Sequence, residues 1–422
     1  MKRIGHRLHR GWRAVTSPRS TSGRVALLTA VVVTSVCVPA LSYTAAGGQS
    51  SDLVGRWDYF PSRTASGYVV TDLGCARTDS AGSLNEMIAG HMRPVLGFDN
   101  PHVIDLGGRR YLWLFNDTFV DYTNRATSLV DARFLFNVAV LQERDCFRLV
   151  LGGSKAEPKE FERGTGQKLP HLFWPLGGQV VGGRVQVFWA EMLRTGDQPA
   201  SGDGVNRRPL RTWLATYDAT TLHRLDMRPA PNDGVHPQYG YAVAADETHS
   251  YLFGNSNLLN LTSEGGFYAG PHSATKMYLA RVRRGELTAT PEYRTADGWS
   301  DDPADARPFS ERFWTDNGMQ PVYLDGHWLA VTKVDGFWGT DTIFEVADEP
   351  WGPWKLVSRR RVEPARGFDE MTNYQPIILP YRDTSGDLII VMSENARVWR
   401  GAVDDMSMYR PRVYTEPWPF GR

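Results

Sequence analysis

Asp99 and Asp117 stand near the two ends of one short stretch, FDNPHVIDLGGRRYLWLFNDTFV, Phe98 to Val120. Two carboxylates held close cannot both ionise freely. One pKa rises, and an acid then stands beside a base or nucleophile. Paired carboxylates of this kind cleave glycosidic bonds. The stretch reads as one hairpin. Val103 to Leu106, apolar apart from Asp105, and the apolar run Tyr111 to Phe115 flank Gly107-Gly108, which signals a tight turn. Asp99 falls just before the first strand and Asp117 at the end of the second, so both acids are expected on one edge of a sheet. Taken singly, either acid reads equally well as a turn cap, because Asp side chains satisfy backbone groups at strand ends.

The elements that must position such a pair are also strands. Beyond residue 46 no segment sustains a helical period. Five segments share one template of strand, turn, strand and polar end: NPHVIDLGGRRYLWLFND, WPLGGQVVGGRVQVFWAE, GYAVAADETHSYLFGNSN, MQPVYLDGHWLAVTKVD and YQPIILPYRDTSGDLIIVMSEN. Their starts lie about 55 to 80 residues apart, with further β-like sequence between them. Four-strand units that cannot bury their own faces are stabilised by radial stacking. The pattern predicts an all-β fold, a five-bladed β-propeller over residues 47–422, preceded by an N-terminal signal or anchor segment. Residues 54–70 are expected to supply the strand that closes the last blade. A two-sheet sandwich is the alternative architecture.

In a propeller the start of each first strand and the end of each second strand meet on one face. That rule gathers Asp99, Asp117, His171, Glu191, Asn255, Asn257, Asp316, Asn317, Asp335, Asp369, Asn373, Gln375, Glu394 and Asn395 around one funnel. Carboxylates and amides dominate, which suits a neutral polyhydroxylated ligand. Asn100, Trp174, Glu191, Asn255, Asp316, Asn317, Trp338, Asn373, Gln375, Glu394 and Asn395 are expected to contact it, with Asp99 and Asp117 as the reacting pair. Trp174 and Trp338 offer rings that could stack on a sugar, although most of the 13 tryptophans that follow residue 46 should pack between blades. His102, His171, His236 and His272 lack ligand spacing, so no metal is expected. No cofactor is called for, and no Gly-x-Ser-x-Gly elbow or Cys/His arrangement appears.

Residues 1–46 carry seven basic residues, no acid, the apolar run VALLTAVVVTSVCVPAL and then small residues. This is the order of a secretory signal, with cleavage expected near Ala46. An uncleaved anchor is the competing reading, which would tether the chain to a membrane through residues 25–46. Without the leader, 40 Lys and Arg face 47 Asp and Glu, a formal charge of −7. No basic stripe invites nucleic acid. The expected location is secreted or extracytoplasmic, as a monomer acting on a polysaccharide. In that compartment Cys75 and Cys146 are candidates for one disulfide, with two separate thiols as the alternative.

Three further motifs point to a family. GGRRYLWLFNDTFV, EPWGPWKLV and YQPIILP…LIIVMSENA…MYRPRVY resemble five-bladed propeller glycosidases, most of all glycoside hydrolase family 183, the endo-D-arabinanases. The resemblance runs over Gly67 to Tyr414. It implies cleavage of α-linked D-arabinofuranosyl chains, such as those of mycobacterial cell walls, with retention. It implies an aspartate pair on the first blade, which falls by position on Asp99 and Asp117. Where the family shows Gly-Asp-Thr, this chain has Asn116-Asp117-Thr118. The alternative function is a non-catalytic carbohydrate-binding or cell-wall-associated propeller.

Overall fold

Runs of Val, Leu, Ile and aromatic residues separated by glycine and Asx turns pair as antiparallel hairpins. The computed structural model describes residues 67–164, 171–194, 207–235, 237–255, 275–312, 320–334 and 339–421. These form five antiparallel sheets. The first contains β1 (Tyr68–Cys75), β2 (Val95–Gly107), β3 (Arg110–Val120), β4 (Arg133–Glu143), β5 (Cys146–Gly153) and the short β6 (Pro158–Lys159), in the order β1-β5-β4-β3-β2 with β6 on β5. The second runs from β7 (His171–Val181) outward through β8 (Arg184–Arg194) and β9 (Arg207–Asp218) to β10 (Arg224–Pro229). The third begins with β11 (Gln238–Ala245), β12 (His249–Asn255) and β13 (Thr275–Arg283). It continues into β14 (Glu292–Arg294) and β15 (Trp299–Ser300), with β16 (Ser310–Arg312) also on β13. The fourth is β17 (Val322–Leu324), β18 (His327–Lys333), β19 (Asp341–Ala347) and β20 (Lys355–Arg361). The fifth is β21 (Met371–Arg382), β22 (Leu388–Ala396) and β23 (Arg412–Glu416).

The first strands of the sheets touch in turn: β2 on β7, β7 on β11, β11 on β17, β17 on β21, and β21 back on β2. A closed ring of radial sheets is a five-bladed β-propeller, not a sandwich. The five inner hairpins coincide with the five sequence templates. Apolar faces are buried between blades. Phe173, Trp189 and Tyr217 of the second blade pack with Leu112, Leu114 and Val150 of the first. Ile377, Leu379 and Val391 of the fifth pack with Trp113, Phe115 and Leu149 of the first, which closes the ring. A fully buried Phe such as Phe173 contributes about 1.5–3 kcal/mol.

The expectation for residues 54–70 is corrected over its described part, residues 67–70. β1 does not complete the last blade. It lies on the outer edge of the first, paired along β5 from Tyr68↔Gly152 to Cys75↔Cys146, and a disulfide joins Cys75 to Cys146. The helix α1 (Ala81–Glu86) braces the fifth blade: Asn85 Oδ1 accepts from the Val413 amide at 2.9 Å. A second short helix, α2 (Trp399–Asp404), follows β22. The leader, residues 54–66, Asn257, Asp316, Asn317, Asp335, His236, His272 and Trp338 lie outside the described residues. Of Asn100 and Asn255 only the strand position is described. Among the described residues no helix is long and apolar enough to cross a membrane.

Candidate active site

The turn of the β2–β3 hairpin uses Gly107, Gly108 and Arg109, all at positive φ (80°, 64° and 60°), where two glycines remove most of the steric cost. At its other end the strands run further than the sequence pattern suggests. Asp99 and Asp117 are inside β2 and β3, not at their ends. Asp99 is the register partner of Asn116, and the next pair along is Gly97 with Phe119. Asp117 and Thr118 therefore oppose the single residue Phe98, a bulge that re-aims a side chain. Asp117 sits in it at φ 39°, a left-handed conformation that costs a non-glycine residue about 1–3 kcal/mol. Thr118 Oγ1 steadies the bulge with a 3.0 Å bond to the Asn116 carbonyl.

Both acids are 6 % exposed, and neighbours from other blades hold them. Trp174 donates its indole N–H to Asp117 Oδ1 at 3.2 Å. The hydroxyl of Tyr409 donates to the Asp117 carbonyl at 2.9 Å and lies 3.4 Å from Asp99 Oδ2. Tyr409 reaches this position because residue 97 has no side chain. A Cβ there would stand 2.8 Å from both the Tyr409 ring and its carbonyl oxygen. The Phe98 amide donates to that same carbonyl at 3.2 Å. Sequence reasoning missed Tyr409. Its one signal is its place in the MYRPRVY motif, 310 residues from Asp99.

The other expected site residues divide by what they touch. Trp174 is 7 % exposed, so its ring is packed and its polar edge serves Asp117. Glu191 is 4 % exposed and hydrogen-bonds His171 and Trp213. Gln375 is buried in a second bulge, where it and Pro376 oppose Met392, and it too has positive φ, 52°. Asn395 is buried on β22 opposite Thr372. Asn373 and Glu394 face each other across the β21–β22 ladder. Asn373 Nδ2 donates to the Val362 carbonyl at 2.6 Å, and Glu394 Oε2 accepts from the Ala365 amide at 3.1 Å. Both thereby hold the connection between the fourth and fifth blades. Lys333, fully buried at the end of β18, donates to Thr372 Oγ1 at 3.2 Å and to the Asn373 carbonyl. The sequence reading overlooked it in VTKVD, where attention fell on Asp335. Asp369 is exposed in the turn before β21. Among the described residues no group of three His, Cys, Asp or Glu side chains could hold a metal.

Burial pushes the Glu394 carboxyl up from 4.5 to about 7, against the partly offsetting Ala365 amide and the Arg412 guanidinium at 3.8 Å. The folded chain therefore favours the protonated acid. That contribution, roughly 3 kcal/mol, is fully present below pH 4.5 and lost as pH rises through 7. In urea titrations the wild-type protein is expected to lose about 3 kcal/mol more between pH 4.5 and 8 than Glu394→Gln. Parallel pH profiles for the two proteins would show that Glu394 ionises freely.

The five blades and the closure of the ring define a five-bladed β-propeller, with a buried acid pair on the inner hairpin of its first blade. Within that class the chain belongs to the family of the domain of unknown function DUF5005, whose model matches residues 92–415. No curated protein matches the sequence. Among solved structures, one described as a putative hydrolase from Bacteroides ovatus is 18% identical and has a TM-score of 0.55, with 76% of this chain and 85% of that one covered. The likeness is one of fold. Two others score lower. A GH43 protein from Bacillus licheniformis is 12% identical, with 72% and 50% covered and a TM-score of 0.42. A GH43 enzyme from Xanthomonas citri complexed with xylotriose is 11% identical, with 76% and 87% covered and a TM-score of 0.42.

Proposed function

We propose that this chain is a glycoside hydrolase that cleaves α-linked D-arabinofuranosyl polysaccharide with Asp99 and Asp117 as its reacting pair. One observation carries the reading. Two buried aspartates share one hairpin, Asp117 is turned by a strained bulge, and the Tyr409 hydroxyl spans Asp99 and the Asp117 backbone. Strain of this kind persists where the surroundings over-determine it, and it clusters at functional sites. Asp99 serves as nucleophile or base and Asp117 as general acid/base, the two roles being exchangeable. The arabinan substrate rests on the resemblance to endo-D-arabinanases.

Incubating the purified protein with arabinogalactan and lipoarabinomannan tests this. Soluble arabino-oligosaccharides are the expected product, and intact polymer after prolonged incubation contradicts it. We further propose that the leader exports the chain and is removed, leaving a monomeric extracytoplasmic enzyme. Mass spectrometry should then find a mature N-terminus near Gly47, whereas an intact N-terminus in the membrane fraction would establish the anchor.

A further inference from the structure

Glu191 was expected to bind substrate, yet its two carboxylate oxygens already accept hydrogen bonds within the protein. Oε1 takes one from His171 Nδ1 at 2.5 Å, and Oε2 takes one from Trp213 Nε1 at 2.6 Å. The arrangement is braced from behind. The Arg211 guanidinium lies 5.3 Å from the centre of the Trp213 ring, and Asp233 holds Arg211 at 2.9 Å while also accepting from the Thr212 amide. Glu191 is thus a positioning residue, and the group it positions is His171.

In the neutral ring, an accepting carboxylate on Nδ1 makes that nitrogen the one bearing hydrogen and leaves the lone pair on Nε2. The His171 side chain is 32% exposed against 5% for that of Glu191, and among the described residues Nε2 has no hydrogen-bond partner. His171 opens β7, and the same strand carries Trp174, whose indole donates to Asp117. The β7–β8 register is unbroken from His171 to Trp174, so the two backbones lie about 10 Å apart at the usual strand rise. Residues three apart on a strand present opposite faces, so the His171 side chain leaves the start of β7 on the face away from that of Trp174.

We propose that His171 forms a sugar subsite at the start of β7, with Nε2 hydrogen-bonding a hydroxyl of a neutral sugar. The carboxylate behind the ring disfavours an anion in front of it, and the described residues supply no companion ligands for a metal. A hydroxyl donor meets both conditions. The choice of a sugar, and of a furanoside, as that hydroxyl donor rests on the glycosidase reading.

The test follows the imidazole nitrogens of His171 by long-range ¹H–¹⁵N spectra at fixed neutral pH. The probe is an α-D-arabinofuranosyl oligosaccharide, added to Asp117→Asn protein so that it is not consumed. Saturation should shift Nε2 while Nδ1 stays protonated. His171→Phe should weaken binding of the oligosaccharide about tenfold. In the otherwise wild-type enzyme Glu191→Gln should raise KM with little change in kcat. The outcomes separate the two claims. If wild-type protein cleaves arabinan but the oligosaccharide leaves Nε2 unmoved, the subsite is refuted and the hydrolase stands. If Nε2 shifts but no polymer is cleaved, the subsite stands and the hydrolase falls. If neither occurs, both are overturned.

Discussion

Asp117→Asn lowers kcat on arabinan by about 10²- to 10⁴-fold while the protein remains folded, the range set by loss of one general acid/base group. Asparagine is the informative replacement because it keeps what holds residue 117 in place. Its amide oxygen can still accept from the Trp174 indole, and the Tyr409 hydroxyl bonds the main-chain carbonyl, which does not change. Asparagine also tolerates the left-handed backbone that this position adopts at φ 39° better than other non-glycine residues do. Only the titratable proton is removed. Asp99→Asn should lose activity comparably, since Tyr409 can donate to an amide oxygen as well as to a carboxylate. Circular dichroism and urea midpoints confirm the fold, and initial rates of oligosaccharide release measure the loss. Wild-type rates in either variant would reduce the pair to turn punctuation and favour a carbohydrate-binding propeller.

Removing the disulfide has the largest expected effect on stability. Cys75 and Cys146 are cross-strand neighbours separated by 71 residues. Closing a loop of that length restricts the unfolded chain and stabilises the folded one by about 4 kcal/mol. The loop contains β2, β3 and β4, so the hairpin carrying both acids lies within it. The double variant Cys75→Ser, Cys146→Ser should therefore unfold at markedly lower urea. Its activity at low temperature should hardly change, because neither cysteine touches Asp99 or Asp117. Reduction of the wild-type protein with dithiothreitol should reproduce the shift. An unchanged urea midpoint after reduction would mean that the bridge does not stabilise the protein in solution.

The ring itself was legible because each inner hairpin pairs neighbours in sequence, where strand and turn signals are local. The five templates coincide with the pairs β2–β3, β7–β8, β11–β12, β17–β18 and β21–β22. What was misread depends on contacts far apart in the chain. Tyr68 to Cys75 looks like any edge strand, and nothing local distinguishes the first blade from the last as its partner. The cross-strand match of Cys75 with Cys146 on β5 identifies that partner. The extents of β2 and β3 were underestimated because bulges at Asn100 and at Asp117-Thr118 interrupt the two-residue period. Tyr409 and Lys333 went unseen because an isolated tyrosine or lysine has no pattern until the ring brings its blade to the site. Glu191 was read as a polar strand end, but β8 runs on to Arg194. Its bonds to His171 and Trp213 are visible only in three dimensions.

The central claim is that Asp99 and Asp117 act as a retaining pair on an arabinofuranosyl chain. Proton NMR during the first minutes of wild-type digestion of arabinan tests it most directly, before the new reducing ends mutarotate. The account predicts that the first oligosaccharides appear with the α configuration of the cleaved linkage, and that this signal is abolished in Asp117→Asn. Products that first appear with inverted configuration, or no products at all, would contradict it.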